Sequence, residues 1–189
     1  MRVVAGEAKG RRLVSPPASI TRAATERIRM SLFGILEPRL EDAAVLDLFA
    51  GAGTLGIEAL SRGAAHATFV ERDRAALRAL RENVSATGFE QRATVVAQDV
   101  RAFLDRGAGV FDVVFCDPPF ADVDTLSATL AQPGLSGALA PDALVVYRIM
   151  RKHPAAVPTA ATVERTKDIG EESLVFLRYA TAASTEEMA

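Results

Sequence analysis

Cysteine and histidine are nearly missing from this chain. One cysteine, Cys116, and two histidines, His66 and His153, are all that its 189 residues hold. A single cysteine excludes an internal disulfide and a cysteine-built metal cluster. The histidines stand far apart with no ligand spacing around them, so no metal site is expected. Cys116 sits in an apolar run, where a buried, inert thiol is the default. Long apolar stretches are absent as well. None approaches the ~20 residues that span a bilayer. The N-terminus carries no apolar signal core, which predicts a cytoplasmic protein without membrane contact. There is no internal repeat.

What is present suffices for one core. An apolar content of 49% in 189 residues fits one domain with a short appendage. The net charge of −2 is unevenly spread. Residues 1–30 carry Arg2, Lys9, Arg11, Arg12, Arg22, Arg27 and Arg29 against Glu7 and Glu26, a net +5, which leaves −7 on the rest. A basic arm on an acidic body points to a polyanionic partner held by that arm. A solvated surface stretch would look the same from charge alone.

The segments Arg2–Ala5 and Arg11–Val14, linked through Gly6 and Gly10, predict a small hairpin. Ser15–Ser19 reads as linker. Thr25–Leu36 predicts a helix, with Ile28, Leu32, Ile35 and Leu36 on one face and Thr25 as cap. From Ala43 the pattern alternates. Strands are expected at Ala44–Phe49, Ala67–Glu71, Ala93–Ala97, Phe111–Cys116 and Ala143–Arg148. Helices are expected at Thr54–Arg62, Arg74–Thr87, Asp99–Asp105 and near Val123–Leu130. This implies an α/β fold, a parallel sheet with helices on both faces. Ala161–Lys167 and Ser173–Tyr179 read as an antiparallel pair closing the sheet. The resulting organisation is a basic hairpin and linker at 1–20, a main domain at 21–180 and a small, acidic tail at 181–189 expected to be disordered.

Two motifs carry chemistry. The first is Asp117-Pro118-Pro119-Phe120, directly after the apolar run Phe111–Cys116. Proline has no N–H for a ladder and restricts the residue before it. The chain is therefore held rigid at a strand's carboxyl end, where open α/β sheets bind ligands. The turn offers one carboxylate, one proline carbonyl and one flat ring, which suit a planar nitrogen base bearing an exocyclic amine. The second motif is Gly51, Gly53 and Gly56 after the strand Val45–Phe49, with Glu71 twenty residues on. This meets the dinucleotide fingerprint and fits NAD, FAD or S-adenosylmethionine. Asp47 favours the last. A carboxylate there accepts from an ammonium and opposes a pyrophosphate. Asp99, after the third strand, can reach an adenine amine. Asp73 and Asp99 also stand where simple helix caps would.

Together, Val45–Gly56, Asp117–Phe120, the segment Arg22–Arg29 and the hairpin Arg2–Gly6 with Lys9–Leu13 resemble the bacterial RsmD-type 16S rRNA guanine-N2 methyltransferases. Ile57–Ala64 is similar too. The resemblance covers about residues 2–180. The Asp-Pro-Pro-aromatic turn is shared with adenine-N6 and glutamine-N5 methyltransferases, and the hairpin with the Thr25, Arg27, Arg29 helix narrows the match. Departures from the family are Ala23, Ala24 and Met30 in the N-terminal segment, Arg148 where a glutamate is usual, and Ile169 in the C-terminal turn.

The resemblance implies a Rossmann-like S-adenosylmethionine-dependent methyltransferase fold, with a mostly parallel seven-stranded sheet and an antiparallel C-terminal hairpin. It implies methylation of a guanine N2 in 16S rRNA, within an assembling small subunit, by a monomer. Asp117, Pro118 and Phe120 would act on the base. Asp47, Phe49, Ala50, Gly51, Gly53, Thr54, Glu71, Arg72, Asp99, Val100, Asp117 and Thr25 would hold the cofactor. Arg2, Lys9, Arg11, Arg12, Arg22, Arg27 and Arg29 would meet RNA. Other readings remain: an adenine-N6 or protein-amide methyltransferase, a nicotinamide dehydrogenase lacking an evident acid or base, and a catalytically silent RNA-binding protein.

Overall fold

The structure is a computed structural model that describes residues 1–16, 24–118 and 122–180. Arg22, Phe120, part of the expected linker and the tail 181–189 lie outside the described residues.

Seven strands form one sheet: β1 (Ala44–Leu48), β2 (His66–Glu71), β3 (Ala93–Ala97), β4 (Phe111–Cys116), β5 (Leu139–Met150), β6 (Ala161–Ile169) and β7 (Glu172–Tyr179). Their order is β3-β2-β1-β4-β5-β7-β6. The first five strands run parallel, and β7 pairs antiparallel with both β5 and β6. The expected closing hairpin is therefore present, with its second strand inserted beside β5. The order reverses between β1 and β4, which places a crevice at the carboxyl ends of those two strands.

Among the described residues, six α-helices cover the sheet: α1 (Glu26–Leu36), α2 (Thr54–Ser61), α3 (Arg74–Thr87), α4 (Val100–Asp105), α5 (Val123–Leu130) and α6 (Pro133–Ser136). Because strand side chains alternate, each face has its own core. Val45, Val113, Phe115 and Val146 pack with α1, α2 and α3 on one face. Leu46, Leu48, Val114, Cys116 and Val145 pack with α4, α5 and α6 on the other.

Two expectations need correction. The strand expected at Ala143–Arg148 runs from Leu139 to Met150. Pro141 and Asp142 lie where the register shifts: Phe111 faces Leu139 while Val113 faces Leu144. The two N-terminal strands reduce to a single antiparallel bridge between Arg2 and Arg12. Backbone bonds still close the hairpin, Val3 N to Arg11 O at 3.0 Å, Gly10 N to Val3 O at 3.0 Å and Leu13 N to Met1 O at 2.9 Å, and the link also bonds to the body. Val4 and Ala5 donate their N–H groups to the Glu58 carboxylate at 2.8 and 3.0 Å, and Ala8 N donates to Ser61 Oγ at 3.0 Å. Asn83 accepts from Val14 N and donates to Val14 O and Ala52 O. At Gly6 a Cβ would fall 1.6 Å from the Ser61 carbonyl oxygen, so only glycine fits. Val3, Ala8 and Leu13 share the core of α1 and α2.

Candidate active site

An open cavity of about 1150 Å³ lies at the β1/β4 switch point. Most of the site residues expected from sequence line it: Asp47, Phe49, Ala50, Gly51, Thr54, Glu71, Arg72, Asp99, Val100, Asp117 and Pro118. They arrive from the carboxyl ends of four parallel strands, which is why residues up to 70 positions apart meet.

On the β1 side, backbone amides hold the carboxylates. Gly53 caps helix α2 with a φ of +77° and has no side chain to accept from the first turn. Asp47 substitutes for one from the neighbouring strand, accepting from Gly56 N at 2.9 Å. A negative charge at a helix N-terminus is favourable there. Burial still pushes the Asp47 carboxyl well above the usual carboxylate range, with Asp117 and Glu71 adding to the effect. Glu71 accepts from Gly51 N at 2.8 Å and from Arg72 N and Asp73 N at 2.8 and 2.7 Å. Asp99 caps α4 by accepting from Arg101 N, and its other oxygen meets Arg72 Nη1 at 2.9 Å. Phe49 takes a positive φ of 60° at the end of β1, uncommon for a bulky residue and typical of a constrained site.

The glycines act differently from the expectation that they admit a ligand. Gly53 N bonds to Ala50 O at 2.8 Å, so together with the bonds to Glu71 and Asp47 all three glycine amides are engaged within the protein. A Cβ at Gly53 would fall 2.3 Å from Leu80, and one at Gly56 would fall 2.3 Å from Phe69. These two glycines serve close helix–sheet packing. None of the three amides is left for a pyrophosphate.

On the β4 side, a side chain holds the carboxylate. Asp117 follows β4, and Arg148 of β5 grips it from Nε to Oδ1 at 3.2 Å and from Nη2 to Oδ2 at 3.0 Å. Arg148 Nη1 also donates to Glu172 Oε2 of β7 at 3.2 Å. Burial holds the Asp117 carboxyl above its ordinary value, with Glu172 adding to the effect and the Arg148 charge and hydrogen bonds opposing it without cancelling it. Sequence reading left Arg148 and Glu172 out of the site. The departure from the family at Arg148 was the available signal. Gln98 was also passed over. It lines the cavity, and its Nε2 is buried without a partner.

Some expected residues sit elsewhere. Thr25 is exposed and caps α1 through Ile28 N at 3.3 Å, while its neighbour Ala24 lines the cavity. Arg29 was expected at phosphate but is 1% exposed. It donates to Ala24 O and Arg2 O, both at 2.8 Å, and so ties α1 to the N-terminal segment. Arg2 is exposed but pairs with Glu26 at 3.0 Å. Lys9, Arg11, Arg12 and Arg27 are exposed.

Residues 1–178 match the family described as Conserved hypothetical protein 95. The chain belongs to this family. It is 38% identical over 172 residues to the Ribosomal RNA small subunit methyltransferase D of Escherichia coli, covering 90% of this chain and 86% of that protein. Among solved structures, it superposes on a putative methyltransferase of Escherichia coli with a TM-score of 0.81 at 34% identity, over 96% of this chain and 98% of the other. A putative methylase from Haemophilus influenzae gives 0.75 at 30% identity, over 95% and 98%. The family resemblance drawn from the motifs is thereby borne out.

Proposed function

We propose that this chain methylates the exocyclic N2 of a guanine in 16S rRNA, with S-adenosylmethionine as donor. The observation that carries this reading is the joining, in one cavity, of the Asp117-Pro118 turn to a glycine loop whose glycine amides are all engaged. A dinucleotide would need those amides for its pyrophosphate. A sulfonium amino acid needs acceptors instead, and Asp47, Glu71 and Asp99 are acceptors along the cavity wall. The unpartnered Gln98 amide offers a donor for a purine ring nitrogen. The relative in Escherichia coli is named as a small-subunit rRNA methyltransferase.

When bound, S-adenosylmethionine supplies an electrophilic methyl on sulfur. This chain's own residues prepare the acceptor. A guanine N2 is a poor nucleophile because its lone pair is delocalised into the ring. Asp117 and the Pro118 carbonyl accept its two hydrogens, which shifts electron density to nitrogen and fixes the direction of attack. Asp117 takes up the proton after transfer. Phe120 stacks on the base turned out of its strand. Asp47 and Phe49 hold the amino-acid end of the donor, Glu71 its ribose and Asp99 its adenine. Lys9, Arg11, Arg12 and Arg27 supply sequence-independent phosphate attraction. The enzyme works as a cytoplasmic monomer on an assembling small subunit.

The test is methyl transfer from labelled S-adenosylmethionine to undermethylated small subunits and to naked 16S RNA, followed by nucleoside analysis. N2-methylguanosine is the expected product. N6-methyladenosine, or no labelled RNA despite tight cofactor binding, would overturn the assignment.

A further inference from the structure

The buried charges around Asp117 form a set with its own geometry. Asp117, Arg148 and Glu172 come from three adjacent parts of the sheet: the end of β4, β5 and β7. Their side chains are 15%, 6% and 16% exposed. Behind them lies a small apolar recess walled by Ile28, Leu32, Phe115, Val146 and Leu174. Asp117 in turn adds to the upward push on the Asp47 carboxyl of β1. Cys116 and Tyr147 are close by and stay protonated, because burial raises both. Among the described residues, Arg148 is the cation that faces two carboxylates at this edge.

We propose that Arg148 is the positioning residue of the methyl-acceptor site: its two-point grip fixes the Asp117 rotamer before the base arrives, while Glu172 anchors Arg148 through its remaining nitrogen. This rests on the reading of Asp117 as the acceptor of the amine hydrogens. The geometry leaves room for that role. A carboxylate has about four lone-pair sites. Arg148 uses one on each oxygen, so each oxygen keeps one for an incoming N–H. A fork grip also restrains the plane of the carboxylate in a way that a lysine point charge cannot.

Electrostatics require such a partner. Burial and the charge of Glu172 both favour the protonated form of Asp117, and a protonated carboxyl offers the amine one acceptor fewer. The Arg148 charge and hydrogen bonds oppose both. Glu172 acts in the opposite sense. It orients Arg148 but adds a negative charge near Asp117. Removing Arg148 and removing the Glu172 charge should therefore move the ionisation of Asp117 in opposite directions. A merely structural role would not produce that pair of signs.

The experiment is the pH profile of kcat/KM for methyl transfer in Arg148→Gln, Arg148→Lys, Glu172→Gln and Asp117→Ala, with thermal melting of each. Arg148→Gln should move the acidic limb to higher pH by about one unit or more, with transfer near pH 7 down about tenfold and recovering as pH rises. Arg148→Lys should restore the limb most of the way and the maximal rate only in part. Glu172→Gln should move the limb to lower pH. An unmoved limb in Arg148→Gln, or limbs moving the same way in the Arg148→Gln and Glu172→Gln proteins, overturns the proposal. Should Arg148→Gln not fold, Glu172→Gln decides alone, and an unmoved limb there is fatal. If Asp117→Ala transfers at the wild-type rate, the reading of Asp117 itself fails. If Asp117→Ala is inactive and the limbs do not move, only the role of Arg148 fails.

Discussion

The two sides of the cavity hold their carboxylates by different means. On the β1 and β2 side, Asp47 and Glu71 accept from backbone amides of the loop and helix that follow. On the β4 side, Asp117 is held by Arg148, 31 residues further along the chain. Backbone anchoring comes with the fold itself, since those amides sit where the strand–loop–helix path puts them. Side-chain anchoring depends on one rotamer and one charge. The donor half should therefore tolerate changes in surrounding side chains, and the acceptor half should be sensitive to them.

The largest change on the donor side is expected from Glu71→Ala. It releases three amide partners at once and frees the glycine loop. Charged hydrogen bonds contribute roughly 1.5–3 kcal/mol each. Cofactor affinity measured by calorimetry should fall about 10²-fold, with transfer recovering at saturating cofactor. If affinity is unchanged, the amide contacts of Glu71 do not shape the loop.

Arg29→Ala comes next and tests the hairpin attachment instead of RNA contact. It removes the donor to one buried carbonyl, Ala24 O, and one part-buried carbonyl, Arg2 O, which should cost about 1–3 kcal/mol of folding stability in denaturant titration. The salt dependence of RNA binding should stay as in the wild type, because Arg29 is buried. A shallower salt slope with unchanged stability would return Arg29 to the phosphate contacts.

The sequence made the carboxylates on both sides legible but not what holds Asp117, for a physical reason. Strands such as Phe111–Cys116 and Ala93–Ala97 are apolar runs bounded by breakers, and their limits follow from local pattern. Asp47, Glu71 and Asp99 could be named because each stands at a fixed distance from a strand end. What local pattern does not carry is the partner across space. Glu58, Ser61 and Asn83 anchor the N-terminal segment from more than 50 residues away, and no local pattern announces them. Gly53 and Gly56 were given to a ligand when Leu80 and Phe69 are what they accommodate. Arg29 looked like one more cation in a basic arm, because burial is not visible in a charge count.

Asp47→Asn sharpens the comparison by separating stability from binding. Burial raises the Asp47 carboxyl, so the folded chain binds a proton that the unfolded chain has already released. Stability is then lost as pH rises from the ordinary carboxylate range up to that raised value. The asparagine keeps an acceptor for Gly56 N but has no charge to bury. Melting should show Asp47→Asn more stable than wild type at neutral pH, with the difference vanishing in acid. Cofactor affinity should fall about tenfold, the loss of one charge-assisted contact. A variant less stable at neutral pH would contradict the burial argument.

The smallest effect belongs to Arg12→Ala. An exposed phosphate contact weakens RNA binding evenly across sequences and lowers the salt slope by about one. Folding stability and cofactor affinity should not change. An unchanged slope removes Arg12 from the RNA surface.

On the proposed function, donor binding and acceptor activation are separately built halves of one cavity. Asp117→Ala separates them when measured twice: S-adenosylmethionine affinity by calorimetry, and single-turnover methyl transfer to undermethylated small subunits. Affinity should stay within about threefold of wild type while transfer falls by about 10²–10³-fold. Transfer at the wild-type rate, or a loss of cofactor affinity as large as the loss of transfer, would contradict that reading.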